Sequence, residues 1–201
     1  MNVLKIIGKF FAGLLALFGI IIFIMSYFGI YATNNFNILE NDINAEMNEL
    51  LQDNGINCIN NPENENCRML GQNPIVETIR KEVEDFKYYG NAMRIIGFIF
   101  IIAGFLLFVL CSSWIDGARQ TSLILLIGSL FSYFYYKYMV MGALSSFLPP
   151  EILGVINNWA QASISQTTRF IAILIAIFLI LTIALYLLKR KKMKEEGKTN
   201  G

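Results

Sequence analysis

The sequence predicts an all-α protein: a four-helix transmembrane bundle with an extracytoplasmic, disulfide-tipped helical hairpin between helices 1 and 2. Three observations carry this reading. The 201 residues are 55% hydrophobic and only 15% charged, too apolar for an ordinary soluble domain. The charges gather between four long apolar runs, as in spans joined by wet loops. The polar segment between the first two runs repeats apolar residues at helical spacing and holds two of the three cysteines, Cys58 and Cys67.

The first run covers 10–31, and no charge falls between Lys9 and Glu40. Such a run is long enough to cross a hydrocarbon core of about 30 Å. It follows a short basic leader, Lys5 and Lys9, as a cleavable signal peptide would. The run is longer than the apolar part of such a peptide, and no small-x-small site closes it before Asn34, so an uncleaved anchor helix is expected. The second run covers 95–115, between Arg94 and Asp116. The third runs from about 122 to 141 and is interrupted by Lys137 alone. The fourth, 170–188, is uncharged between Arg169 and Lys189.

Four spans put both termini on one side. Nine basic residues flank the spans there, Lys5, Lys9, Arg119 and the six of the tail, against Asp116, Glu195 and Glu196, a net +6. Segment 34–94 has five basic and eleven acidic residues, a net −6. The excess of basic residues predicts a cell-membrane protein with cytoplasmic termini and 34–94 outside. The chain thus divides into the leader and first span (1–33), the outer hairpin (34–94), spans two to four with an outer interfacial helix near 150–162 (95–188), and a basic tail (189–201). The link of roughly 112–121 makes spans two and three antiparallel neighbours, with Asp116-Gly117 as its expected turn and Trp114 at the headgroups.

In the first limb of the outer segment, Phe36, Leu39, Ile43, Met47 and Leu50 recur at spacings of three and four, with Glu40, Asp42, Glu46 and Glu49 between them. The second limb repeats the pattern with Val76, Ile79, Val83 and Phe86 and has a start signal in Asn73-Pro74. Each limb is about 18 residues, or roughly 27 Å of helix. Cys58 and Cys67 fall at the tip, where two cysteines outside the cytoplasm are most simply read as a disulfide. A redox pair is the alternative, but the spacing is not CxxC and nothing nearby depresses a thiol pKa. Two amphipathic helices make a thin core, so their nine apolar residues form a candidate docking face. Three surfaces offer themselves as cover: segment 142–168, a second copy, or another protein.

A second candidate is a polar face in the third span, Ser129, Ser132, Tyr133 and Tyr136, with Lys137 at its edge. An intramembrane charge is a functional hypothesis by default. Lys137 also lies far enough up the span to reach the outer interface, where Tyr133, Tyr135, Tyr136 and Tyr138 would form an aromatic belt. Segment 150–162 has a helix start in Pro149-Pro150-Glu151 and an apolar face containing Trp159.

Histidine is absent, which removes the commonest general base and metal ligand. No phosphate-cradling glycine loop, zinc spacing or HExxH occurs. The expectation is therefore a non-enzyme with no catalytic residues, no metal and no cofactor. Its expected partners are the lipid bilayer and a protein, either another chain or a second copy, and not nucleic acid. Four spans with a Cys-x8-Cys outer segment resemble a claudin superficially. That segment has no tryptophan and its limbs have helical rather than strand periodicity, so no family is claimed. The function expected is scaffolding, assembly or partner docking through the hairpin. The alternative is a small channel or transporter subunit using the Ser/Tyr/Lys face of span three.

Overall fold

The computed structural model describes residues 3–54, 56 and 74–199, with side chains described except at 74–76, 151 and 195–199. Among these residues every regular element is helical. In order they are α1 (Val3–Asn34), α2 (Phe36–Asp53), α3 (Pro74–Cys111), α4 (Trp114–Phe134), a π-helical turn (Tyr135–Met139), α5 (Val140–Phe147) and α6 (Pro150–Thr199). Four stretches are long and apolar enough to cross a membrane: Val3–Asn34, Glu77–Cys111, Trp114–Phe147 and Ile152–Lys194. Helices satisfy their own backbone groups in lipid, and the chain is a multi-pass membrane protein.

The closest packing joins α1 to α3, and small residues permit it. On α3, Gly90, Gly97 and Gly104 recur every seven residues along one face. They meet Ser26, Gly19 and Ala12 of α1, also seven apart, in antiparallel register. A Cβ on Gly97 would lie 2.8 Å from the Gly19 carbonyl oxygen, and one on Gly104 2.8 Å from that of Ala12. Only small residues let two backbones approach so closely, and the dispersion contacts they allow are what hold helices together in lipid. The seven-residue period keeps the seam in register along the pair.

α4 and α6 pack on this pair. Ile20 and Ile24 of α1, Leu125 of α4, Tyr136 of the π-turn and Ile171 of α6 form the buried core. Gly128 lies beneath Ile20, where a Cβ would meet the Ile20 Cγ2 at 2.6 Å. Ser122 of α4 and Thr182 of α6 share a hydrogen bond of 2.7 Å across their interface. No described residue of α6 after Ile171 is buried, so most of that span turns apolar side chains outward.

Two local expectations differ from what the structure has. The turn between the second and third spans is Ser112-Ser113, not Asp116-Gly117. Ser113 is the N-cap of α4: its Oγ accepts from the Asp116 backbone N–H at 3.3 Å and donates to Asp116 Oδ2 at 3.2 Å. This cap, made by one hydroxyl, starts the helix at Trp114 and holds Asp116 in its first turn. Gly117 is helical and lies against Val109 of α3, whose backbone N would be 2.9 Å from a Cβ there. The helix expected near 150–162 is the first part of α6, which continues without a break into the fourth span. No glycine or proline falls between Val155 and Lys194, so nothing interrupts the helical ladder.

One end of the bundle carries Gly8, Cys111, Asp116 and Lys189, and the opposite end carries Asn35, Trp159 and Ser163. Segment 34–94 leaves and re-enters the bundle at the second end.

Candidate functional site

The second end is organised by Asn35, between α1 and α2. No glycine or proline makes this joint. The Asn35 N–H still donates to the Tyr31 carbonyl at 2.9 Å, and its own carbonyl accepts from the Ile38 N–H at 2.9 Å. Asn35 is 8% exposed, and its side chain meets α6 through both its nitrogen and its oxygen. Asn35 Nδ2 donates to Ser163 Oγ at 3.4 Å, and Gln166 Nε2 donates to Asn35 Oδ1 at 3.2 Å. Nearby, Trp159 Nε1 donates to the Ala32 carbonyl at 2.7 Å, near the C-terminus of α1 where carbonyls lack helical partners. On α6, Trp159, Ser163, Gln166 and Thr167 follow at helical spacing and form one stripe. Ser163 and Thr167 are fully buried, and their hydroxyls return to the carbonyls one turn back, at 2.8 Å each. Each buried polar group named here therefore has a partner.

This network fastens α2 to α6. Most of the contacts of α2 are with α6, and few are with α3. Phe36 and Leu39 are buried, Ile43 and Met47 are half-buried, and Leu50 is 56% exposed. The inner part of the first apolar stripe is thus covered by segment 142–168 of the same chain, one of the three surfaces its composition calls for. On α3, Ile79 and Val83 are half-buried and Phe86 is 56% exposed, with an edge of its ring 3.0 Å from where a Cβ on Gly29 would stand. Tyr88 and Tyr89 are exposed and pack edge to face. Among the described residues an ion pair links the limbs, Arg80 Nη2 to Glu40 Oε1 at 2.6 Å. Both partners reach solvent, so screening by water leaves the pair a small contribution. The Val76 side chain and both Cys58 and Cys67 lie outside the described residues, and with them the expected disulfide.

Of the five polar residues of the third span, three turn into the bundle and Lys137 stands at the outside. Ser129, Ser132 and Tyr136 are buried, and Tyr136 lies in the core with Phe28 at 5.3 Å between ring centroids. Tyr133 is half-buried and Lys137 exposed. The Lys137 ammonium donates to Tyr133 Oη at 3.2 Å and stands 5.3 and 5.4 Å from the Tyr133 and Tyr138 ring centroids. The π-turn takes in Tyr136, Lys137 and Tyr138, while Ser129, Ser132 and Tyr133 lie in the regular helix before it. Beside the turn is an apolar groove of about 590 Å³, lined by Ile21 and Met25 of α1 with Phe131, Ser132, Phe134, Tyr135, Tyr136 and Met139.

The aromatic residues form a second cluster at this depth. Tyr27 of α1 stacks on Phe170 of α6 at 4.0 Å, and the Arg94 guanidinium of α3 lies 5.9 Å from the Tyr27 ring centroid. Among the described residues no three acidic, cysteine or histidine side chains meet as a metal ion would require.

The glycine seam, the Asn35 network and the Ser113 cap have no counterpart among the expectations drawn from the sequence. Gly90, Gly97 and Gly104 carry a visible signal in their period of seven, and Ser113-x-x-Asp116 is a visible start motif. The Asn35 network has none, because its halves lie some 130 residues apart. Compared with known proteins, the chain matches no family model, no curated protein and no solved structure.

Proposed function

We propose that this multi-pass membrane protein is a docking scaffold whose outer assembly, the outer turns of α3 beside α2, receives a partner protein or a second copy of the chain. The observation that carries the reading is the unequal cover of the two limbs. α2 is fastened to α6 through Asn35, and its inner apolar residues are buried. Over the outer turns of α3, Phe86, Tyr88 and Tyr89 stay exposed among the described residues, and Leu50 is exposed at the far end of α2. Aromatic side chains on a rigid helix are effective anchors for protein contacts, because they bury much area at small entropic cost.

The orientation belonging to this reading puts both termini in the cytoplasm and 34–94 outside, as the +6 and −6 charges of the two sides favour. The tip of the outer segment is closed by a Cys58–Cys67 disulfide in the same reading. The membrane spans hold the platform, and no chemistry is assigned to them. Photo-crosslinking in native membranes from a probe at Tyr88 tests the proposal. An adduct with a second polypeptide supports it, and a chain that stays monomeric with no neighbour at that site removes its basis.

A further inference from the structure

The end of the bundle away from the docking platform has a cleft of about 450 Å³ between the first turn of α4 and the last turns of α6. Its walls are Trp114, Ile115 and Asp116 on one side and Lys189, Lys192 and Met193 on the other. Lys189 Nζ is 2.5 Å from Asp116 Oδ1, and Arg119 Nη2 approaches the same oxygen at 3.5 Å. Asp116 therefore faces more than one cation, and among the described residues lining the cleft Lys189 and Lys192 outnumber it.

Depth identifies the solvent of this cleft. Lys189 is the first charge after the apolar run 170–188, and Trp114 comes three residues after the end of α3 at Cys111. The cleft thus opens where the hydrocarbon ends and the headgroups begin. Trp114 is 63% exposed, and its ring is held edge-on against Phe105 at 5.0 Å, an amphipathic ring fixed at that level. Met193 and Ile115 supply apolar wall beside the lysines. A ligand matching these features has a negative phosphate toward Lys189 and Lys192 and an acyl region toward the apolar run of α6. The size and charge fit a single anionic headgroup.

We propose that this cleft binds the phosphate-bearing headgroup of an anionic phospholipid. The inference is independent of the docking function and needs only the membrane-spanning assignment. It differs from general attraction of a basic tail to a negative surface, because Lys192 lines the cleft while Lys194 does not.

The test uses the full-length protein in nanodiscs made with phosphatidylcholine alone or with added phosphatidylglycerol, read by native mass spectrometry for retained lipid. Phosphatidylglycerol should be retained in preference to phosphatidylcholine, and Lys192→Gln should weaken that retention about fivefold. Lys194→Gln makes the same change in net charge outside the cleft and should leave retention unchanged. Asp116→Asn removes the negative wall charge and should strengthen retention. Because it leaves every cation in place, this variant keeps the test decisive should Lys192→Gln disturb the fold. Equal losses from Lys192→Gln and Lys194→Gln would mean diffuse attraction to the tail and overturn the site. Displacement of the lipid by millimolar inorganic phosphate, with no preference among lipids, would overturn a lipid as the source of the phosphate.

Discussion

Gly19 and Gly97 face each other so closely that a Cβ placed on either would stand 2.8 Å from the other's carbonyl oxygen. The obstruction on both sides is backbone, which cannot rotate away as a side chain can. Gly97→Ala should therefore push α1 and α3 apart and destabilise the protein by about 1–3 kcal/mol, in the range of overpacking changes. Gly142→Ala is the matched control. Nothing lies within 4 Å of a Cβ there, and alanine favours the helix by up to about 1 kcal/mol. Thermal unfolding in detergent, followed by tryptophan fluorescence, should show a lower midpoint for Gly97→Ala and an equal or higher one for Gly142→Ala.

Asn35→Ala should loosen one helix and leave the bundle intact. It removes the only partner shown for Gln166 Nε2 and a donor to Ser163 Oγ, at a cost of about 1–3 kcal/mol. The loss falls on the attachment of α2 to α6. Amide exchange should quicken over 36–53 and stay unchanged at Gly97 and Gly104; uniform exchange changes through all four spans would contradict a local role.

The turn into α4 depends on one hydroxyl. Ser113→Ala deletes the acceptor for the Asp116 N–H and should cost about 0.5–2 kcal/mol, whereas Ser113→Asp keeps a capping oxygen and should cost little. Chemical unfolding of the three proteins in one detergent ranks them directly.

Lys137 is exposed, and its described contacts are the two tyrosines. Lys137→Leu should leave the unfolding midpoint close to that of the wild type, as at most surface positions. In reconstituted vesicles it should also leave ion flux at the level of the wild type. A flux present in the wild type and abolished by Lys137→Leu would instead favour the channel reading of span three.

Cys58 and Cys67 should be joined in protein isolated from native membranes. Mass spectrometry without reduction should show a linked peptide pair, with Cys111 alkylated separately. Two alkylated thiols at 58 and 67 would contradict the disulfide and the orientation it accompanies.

The spans were legible because lipid imposes one strong rule: about 20 apolar residues in a helix. Runs such as 170–188 satisfy it with no competing pattern. The helical limbs were legible from Phe36, Leu39 and Ile43, whose spacing fits only one period. Which surface covers Phe36 could not be read, since α6 lies more than a hundred residues away and its stripe of Trp159, Ser163 and Gln166 looks like an ordinary polar helix face. Lys137 stays beside Tyr133 one turn back, as an α-helical count gives, while the π-turn over 135–139 has no signal in the sequence. The Gly90, Gly97, Gly104 series is plain in the sequence. Its period of seven is the spacing of every second turn along an antiparallel seam.

The docking proposal rests on what meets the exposed side of α3. A photoreactive residue at Tyr88, irradiated in native membranes, measures this most directly, with a second probe at Ile180 on the lipid-facing part of α6 as reference. The account predicts a discrete protein adduct from Tyr88 and none from Ile180. Adducts to lipid alone from both positions would contradict it.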